Sequence, residues 1–276
     1  MHSMKQFDQI RTYLWYLLLF VVVLFPLAWV FFGSFKPITE LFSYPPKFFP
    51  EQWTMQNYRD VFQRTPMMLY MKNTFIVAIA TVLGSLSLAA PAAYGFSRYD
   101  FRLKYPLLIA MLGLQLIPST VNIVPYYLMM SKLNLLNTLS GLSLIFISGR
   151  IPFSIWILKG FFDSLPRSLA EAARIDGCGP LRAFWSIMLP LSLPGLGAAG
   201  FLSFLSAWGE MLIPLVVTSA KNVSVISVGL FKFFGDDITA YSQLFAATVT
   251  SVLPIVVMFL LSQETFVSGL TSGSGK

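Results

Sequence analysis

Tyr13-Leu14-Trp15-Tyr16-Leu17-Leu18-Leu19-Phe20-Val21-Val22-Val23-Leu24-Phe25-Pro26-Leu27-Ala28-Trp29-Val30-Phe31-Phe32 carries no charged side chain. A hydrocarbon core of about 30 Å is crossed by about 20 helical residues, and this run supplies them. Lys5 and Arg11 precede it as they would in a secretory signal, but the run is too long for one. It ends in Gly33-Ser34-Phe35-Lys36 without an Ala-x-Ala-like cleavage site. It reads as a retained first span. Outward from it, apolar runs recur at about 74–96, 105–130, 139–162, 190–217 and 243–261. The expectation is an all-α membrane protein of six transmembrane helices with both ends on one side.

Composition agrees. The 276 residues are 56% hydrophobic and 11% charged, with mean hydropathy +0.70, whereas soluble domains carry about 25% charged residues. The net charge of +7 is scattered between apolar runs and builds no basic stripe with interleaved aromatics, which argues against nucleic acid. A single cysteine, Cys178, excludes an internal disulfide framework, and a single histidine, His2, leaves no cluster resembling a metal site.

Lys and Arg in short loops orient the spans. Lys5 and Arg11, the tight second loop (Arg98, Arg102, Lys104) and the long fourth loop (Lys159, Arg167, Arg174, Arg182) fall on one side, read as the cytoplasm. On the other side Lys36, Lys47, Arg59, Arg64, Lys72, Lys132, Lys221 and Lys232 are spread over longer segments and mixed with Glu40, Glu51, Asp60, Asp236 and Asp237. The segment 36–66 reads as a small cap with short helical pieces. Val228-Gly229-Leu230-Phe231 is apolar enough to pack back toward a cavity mouth.

Nearly every span contains proline: Pro26, Pro91, Pro118, Pro125, Pro152, Pro194, Pro214 and Pro254. Each removes a backbone donor and favours a kink, tolerated in a membrane where neighbours or cavity water take up the freed carbonyls. Gly195-Leu196-Gly197-Ala198-Ala199-Gly200 suits close helix packing.

The fourth loop, 163–189, is unusually organised. Asp163-Ser164 followed by Pro166 reads as a helix start and Gly177 as its stop. Arg167, Glu171 and Arg174 form a charged stripe at i, i+4 and i+7, with Leu169, Ala170 and Ala173 opposite. After the turn, Leu181, Phe184, Trp185 and Met188 repeat at i, i+3, i+4 and i+7, which predicts a second short amphipathic helix. Two short helices joined at a glycine make a projecting knuckle.

Within it, Glu171-Ala172-Ala173, Gly177 three residues later, and Ile187-Met188-Leu189-Pro190 after nine more reproduce every fixed position of a known cytoplasmic motif. The chain resembles the inner-membrane permeases of binding-protein-dependent ABC importers. It is similar to their carbohydrate branch and to the smaller maltose-type subunit, through Phe153-Ser154-Ile155-Trp156, Ala173-Arg174-Ile175-Asp176-Gly177, Trp208-Gly209-Glu210 and the tail 266–273. The likeness runs from about residue 15 to the end. Departures are Cys178 where the family usually has Ala, Gly209 where it commonly has Asn, and the ending Gly273-Ser274-Gly275-Lys276.

The resemblance implies a cytoplasmic arm at 1–12 and a transmembrane domain at 13–276, with a coupling loop at 163–189 and a cytoplasmic tail at 262–276. It implies a bacterial inner-membrane location, a second permease subunit, a cytoplasmic ATPase dimer and an external sugar-binding protein. ATP and Mg would sit on the ATPase, and this chain would bind no cofactor. Glu171, Ala172, Ala173, Asp176, Gly177, Ile187, Leu189 and Pro190 are the residues implied for ATPase coupling.

Two charges fall inside spans. Arg150 lies near the centre of the fourth run and Glu210 within the fifth, about two turns from its outer end. A central Arg costs about 2.5–3.5 kcal/mol on insertion scales, so it must face a partner or water. Either the two pair, with each other or with a companion subunit, or they line a solute cavity with Trp208, Gln115, Asn122 and Tyr126. Rival functions are weaker. An intramembrane hydrolase needs a nucleophile beside a base, and the spans offer neither Ser-His nor Asp-Asp. The terminal Gly-Ser-Gly-Lys lacks the upstream glycine and the Ser or Thr of a phosphate loop. An ion-coupled secondary transporter shares broken helices and buried charges. A flux-free scaffold, or a permease for a sugar phosphate, also stays open.

Overall fold

The chain's apolar runs become helices because a bilayer leaves no water to satisfy backbone groups. The computed structural model describes residues 2–175, 177–233 and 240–274, and among these there is no strand. The helices that matter here are α1 (His2–Gly33), α2 (Gln56–Arg64), α3 (Met67–Arg98), α4 (Lys104–Gln115), α5 (Ile123–Lys132), α6 (Leu139–Ser164), α7 (Arg167–Ile175), α8 (Leu193–Gly209), α9 (Leu212–Val217), α10 (Ile226–Phe231) and α11 (Ala240–Ser274).

Four helical stretches are long and apolar enough to cross a membrane: Arg11–Gly33, Met67–Arg98, Leu139–Ser164 and Tyr241–Gln263. The run expected as the third span is a bent pair, and the run expected as the fifth turns sharply near its start, where it leaves the second arm of the fourth loop. Lys104–Gln115 meets Ser119–Lys132 at 90°, and Pro180–Leu191 meets Leu193–Gly209 at 73°. Prolines mark both bends: Pro118 lies within the first break and Pro194 in the first turn after the second, and neither has an N–H to continue the ladder. The fifth run breaks a second time at Glu210 and Met211, before α9. At the ends the helices outrun the expected spans. The arm ascribed to 1–12 is helical from His2, and the tail ascribed to 262–276 continues α11 to Ser274.

Contacts divide the chain into two units. The first holds residues 1–67 and 230–253. Its cap contains the short helices expected for 36–66, Ile38–Leu41 and α2. Asn57 of α2 donates to the carbonyls of Ser34 and Lys36 at 2.8 Å each, and the Tyr58 hydroxyl meets Ser34 Oγ at 2.8 Å. Phe32, Phe35, Phe48, Phe49 and Trp53 fill the cap with edge and tilted ring contacts. Burial raises the Tyr58 hydroxyl above its usual titration range, against the smaller opposing effect of the Ser34 bond.

The second unit holds 68–229 and 254–276. Its core joins α3, α6 and the fourth loop through Ala89, Ala93, Tyr94, Ile155, Leu158, Phe162, Phe184 and Met188. Helices α6 and α8 approach closely at Gly195, where any Cβ would collide with the Phe161 ring. Without a hydrophobic drive between helices in lipid, such close backbone approach supplies the packing. Asn73 of α3 donates to the carbonyls of Asn222 and Ser224 at 3.0 Å each, and Thr74 Oγ1 accepts from Ile226 N at 2.8 Å. The segment leading into α10 is therefore fastened to α3, with Gly229 against Tyr70, and no residue of α10 lines the cavity described below.

Candidate functional site

Breaks in membrane helices leave backbone groups that must find new partners or border a cavity. In the second unit, interrupted segments of several helices border one cavity of about 520 Å³, within the range of small-ligand sites. The α4–α5 break contributes Gln115, Pro118, Ser119, Asn122 and, a turn on, Tyr126. Mid-α6 contributes Phe146, Ser148, Gly149, Arg150 and Pro152. The α8–α9 break contributes Ser206, Ala207, Glu210 and Ile213. Pro152 has no N–H to return to the Ser148 carbonyl, so a cavity-lining residue keeps an acceptor without its helical donor.

Glu210 was expected inside a helix and instead occupies the break, with φ −69° and ψ 126°. Its Oε1 accepts from the backbone N–H groups of Leu212 and Ile213 at 3.1 and 3.4 Å, closing the first turn of α9. Pro214 frees the Glu210 carbonyl, and the Ser227 hydroxyl donates to it at 2.6 Å. Arg150 is half-buried, has no hydrogen bond or ion pair among the described residues, and feels the charge of Glu210.

Arg150, Glu210, Gln115, Asn122 and Tyr126 thus share one cavity, whereas Trp208 does not join them. Trp208 is buried and stacks on Phe204 with ring centroids 5.3 Å apart, and Phe204 meets Phe75 of α3. Spacing explains the difference: Trp208 follows Phe204 by one helical turn and shares its α3-facing side, while Ser206, Ala207 and Glu210 fall toward the cavity. Sequence reading also missed Ser119, Ser148, Gly149 and Ser206. Their nearness to Pro118, Pro152 and the Glu210 break was the available signal.

The second candidate is the knuckle. Helix α7 ends at Gly177, whose φ of +80° is the left-handed conformation that glycine adopts without strain. Cys178 N–H then donates to the Ala173 carbonyl at 2.8 Å, the six-to-one closure of a helix terminus. Ala173 is buried and Leu169 packs on the core, while Arg167, Glu171, Ala172 and Ile175 are exposed. Asp176 lies outside the described residues, as do Asp236, Asp237, the last two residues of the tail and the side chains of Ala170 and Arg174.

The second arm, Pro180–Leu191, departs from the expected amphipathic helix. From Phe184 to Met188 it widens into a π turn, with Leu189 N–H reaching the Phe184 carbonyl. Pro190 cannot donate the next helical bond, which favours this widening. The extra residue per turn splits the expected apolar face. Phe184 and Met188 point inward and are buried, while Leu181 and Trp185 are 77% and 60% exposed. Ile187 and Leu189 pack on the core from partly buried positions, and Pro190 is exposed.

Two contacts fix the knuckle to the spans. Tyr94, Phe162 and Phe184 meet with centroids 5.2, 5.5 and 6.3 Å apart. Arg98 at the end of α3 donates through Nη2 to the carbonyls of Phe162 and Leu165 at 2.9 Å each, where α6 gives way to the knuckle. Nearby, Lys159 pairs with Asp163 at 2.6 Å and Lys104 with Asp100 at 2.9 Å. The hydrogen bond from Lys104, then its charge, holds the Asp100 carboxyl below the usual carboxylate range.

Residues 12–271 match the family described as the binding-protein-dependent transport system inner membrane component. The chain belongs to that family. Among relatives of this permease, the sulfoquinovosyl glycerol transport system permease protein SmoH of Agrobacterium fabrum is 33% identical, over 94% of this chain and 91% of its own. The maltodextrin transport system permease protein MdxG of Bacillus subtilis is 32% identical over 99% and 98%. The trehalose/maltose transport system permease protein MalG of Thermococcus litoralis is 33% identical over 94% of each. The permease also shares its fold with a chain of a bacterial ABC transporter involved in the import of the acidic polysaccharide alginate. That match has a TM-score of 0.81 at 22% identity and covers 96% of this chain and 98% of the other.

Proposed function

We propose that this permease forms half of the translocation pathway of an ATP-driven sugar importer, beside a second permease subunit. The bent pair α4–α5 and the broken pair α8–α9 each count as one interrupted span, giving six in all, with both termini and the knuckle in the cytoplasm. The domain boundaries are those of the sequence reading, with 163–189 as the coupling loop. An external binding protein delivers the sugar. ATP and Mg are held by a cytoplasmic ATPase dimer that grips the knuckle, and no cofactor is held by this chain. Closure of the dimer would push on α7 and turn the cavity from one side of the membrane to the other.

The observation that carries this reading is the division of the knuckle into an inner and an outer face. Phe184 and Met188 tie it to the spans, while Ile175, Leu181 and Trp185 are 86%, 77% and 60% exposed. An exposed apolar group on a segment that also exposes Arg167, Glu171 and Arg182 has the composition of a protein contact. Among the motif residues, Glu171 and Ala172 are exposed on the side offered to the ATPase, whereas Ile187 and Leu189 pack on the core and hold the lever in place.

The test is uptake by the reconstituted complex in proteoliposomes. Uptake is expected to follow internal ATP and to survive collapse of proton and sodium gradients. Uptake that follows the gradients and ignores ATP would establish the ion-coupled alternative instead.

A further inference from the structure

We infer that Arg150 is the anchor for an anionic group on the transported sugar, so that the substrate is an acidic saccharide rather than a neutral one. This rests on the reading of the chain as an importer permease and narrows it to a substrate class.

Arg150 brings five N–H donors and a permanent charge into the cavity. No described residue accepts a hydrogen bond from it. Among the described residues Glu210 is the only acidic side chain in the lining, and its Oε1 is held by the N–H groups of Leu212 and Ile213. A carboxylate engaged in closing a helix turn is poorly placed to spend both oxygens on a guanidinium. The remaining polar lining, Gln115, Ser119, Asn122, Ser148 and Ser206, is uncharged and suits hydroxyls. A neutral sugar asks for hydroxyl partners alone and gives no return for holding a cation without a hydrogen-bonded counter-ion at membrane depth. A planar guanidinium fits a carboxylate, sulfonate or phosphate through paired hydrogen bonds. Tyr126 and Phe146 offer apolar faces for the sugar ring.

The complete transporter, with its partner permease, ATPase and binding protein, would be reconstituted and given four probes: a uronate-terminated disaccharide, a sulfonated glycoside, glucose 6-phosphate and neutral maltose. At least one acidic probe should be taken up at least tenfold faster than maltose, and the preferred probe identifies the anion. R150Q should lose at least tenfold of that uptake, while R150K recovers a substantial part and both variants still co-purify with the partner permease. Import of maltose in preference to all acidic probes overturns the inference and leaves the ATP-driven reading intact, as does acidic uptake unchanged in R150Q. Loss of the partner permease from R150Q also overturns it, assigning Arg150 to an ion pair between subunits. Uptake independent of ATP defeats the underlying reading instead.

Discussion

A Gly177→Val permease should insert, fold and assemble, yet lose at least about tenfold of its coupled uptake while its ATPase keeps turning over. The reason lies in the backbone. Gly177 has φ +80°, and a left-handed residue with a side chain costs roughly 1–2 kcal/mol, more when β-branched. Open space surrounds the position, so no neighbouring side chain is displaced. The strain therefore acts on the angle between α7 and Pro180–Leu191, through the Cys178-to-Ala173 closure. About 1.4 kcal/mol against the working geometry is a tenfold change in population. Asn tolerates this conformation better than other residues, so Gly177→Asn should retain most uptake. Parallel assays of ATP hydrolysis and uptake separate the cases, and normal coupled uptake in the valine variant would contradict a lever set at Gly177.

Phe184→Ala should be more damaging still. Phe184 is 3% exposed and meets Tyr94 of α3 and Phe162 of α6. Removing a buried phenylalanine ring costs about 3–5 kcal/mol when its surroundings cannot collapse, and two packed spans limit collapse here. The loss falls at the root of the knuckle, leaving Arg98 as its remaining polar tie to the end of α6. A lower melting temperature of the purified complex is expected, together with a fall in sugar moved per ATP hydrolysed. Trp185→Ala, at a side chain 60% exposed, should leave the melting temperature nearly unchanged and weaken ATPase binding instead. Equal thermal effects from the two substitutions would contradict the division into inner and outer faces.

Much of this was legible in the residues. Helical runs, the knuckle and its stop at Gly177 follow from hydropathy, capping and a glycine that the turn requires. The cavity was half legible, because Arg150, Gln115 and Asn122 are polar where lipid would exclude them. Trp208 misled, since aromatic identity suggests a sugar platform but its spacing from Phe204 turns it toward α3. The breaks at 116–118 and 210–211 were not read as breaks: proline marks a weak point, but only the neighbours decide whether a helix kinks or stops. Likewise the π turn at Phe184–Met188 depends on Pro190 together with the packing of Phe184 and Met188. A period of 3.6 residues cannot foresee a turn that takes in one more.

Cys178, the single cysteine of the sequence, sits beside Gly177 at the bend of the knuckle and is a partly exposed free thiol. Labelling it with a membrane-impermeant maleimide tests the central claim. Inside-out vesicles stripped of ATPase should label and right-side-out vesicles should not, and rebinding the ATPase should slow the reaction severalfold. Labelling from the outer face, or a rate that the ATPase leaves unchanged, would contradict a cytoplasmic knuckle driven by a partner motor.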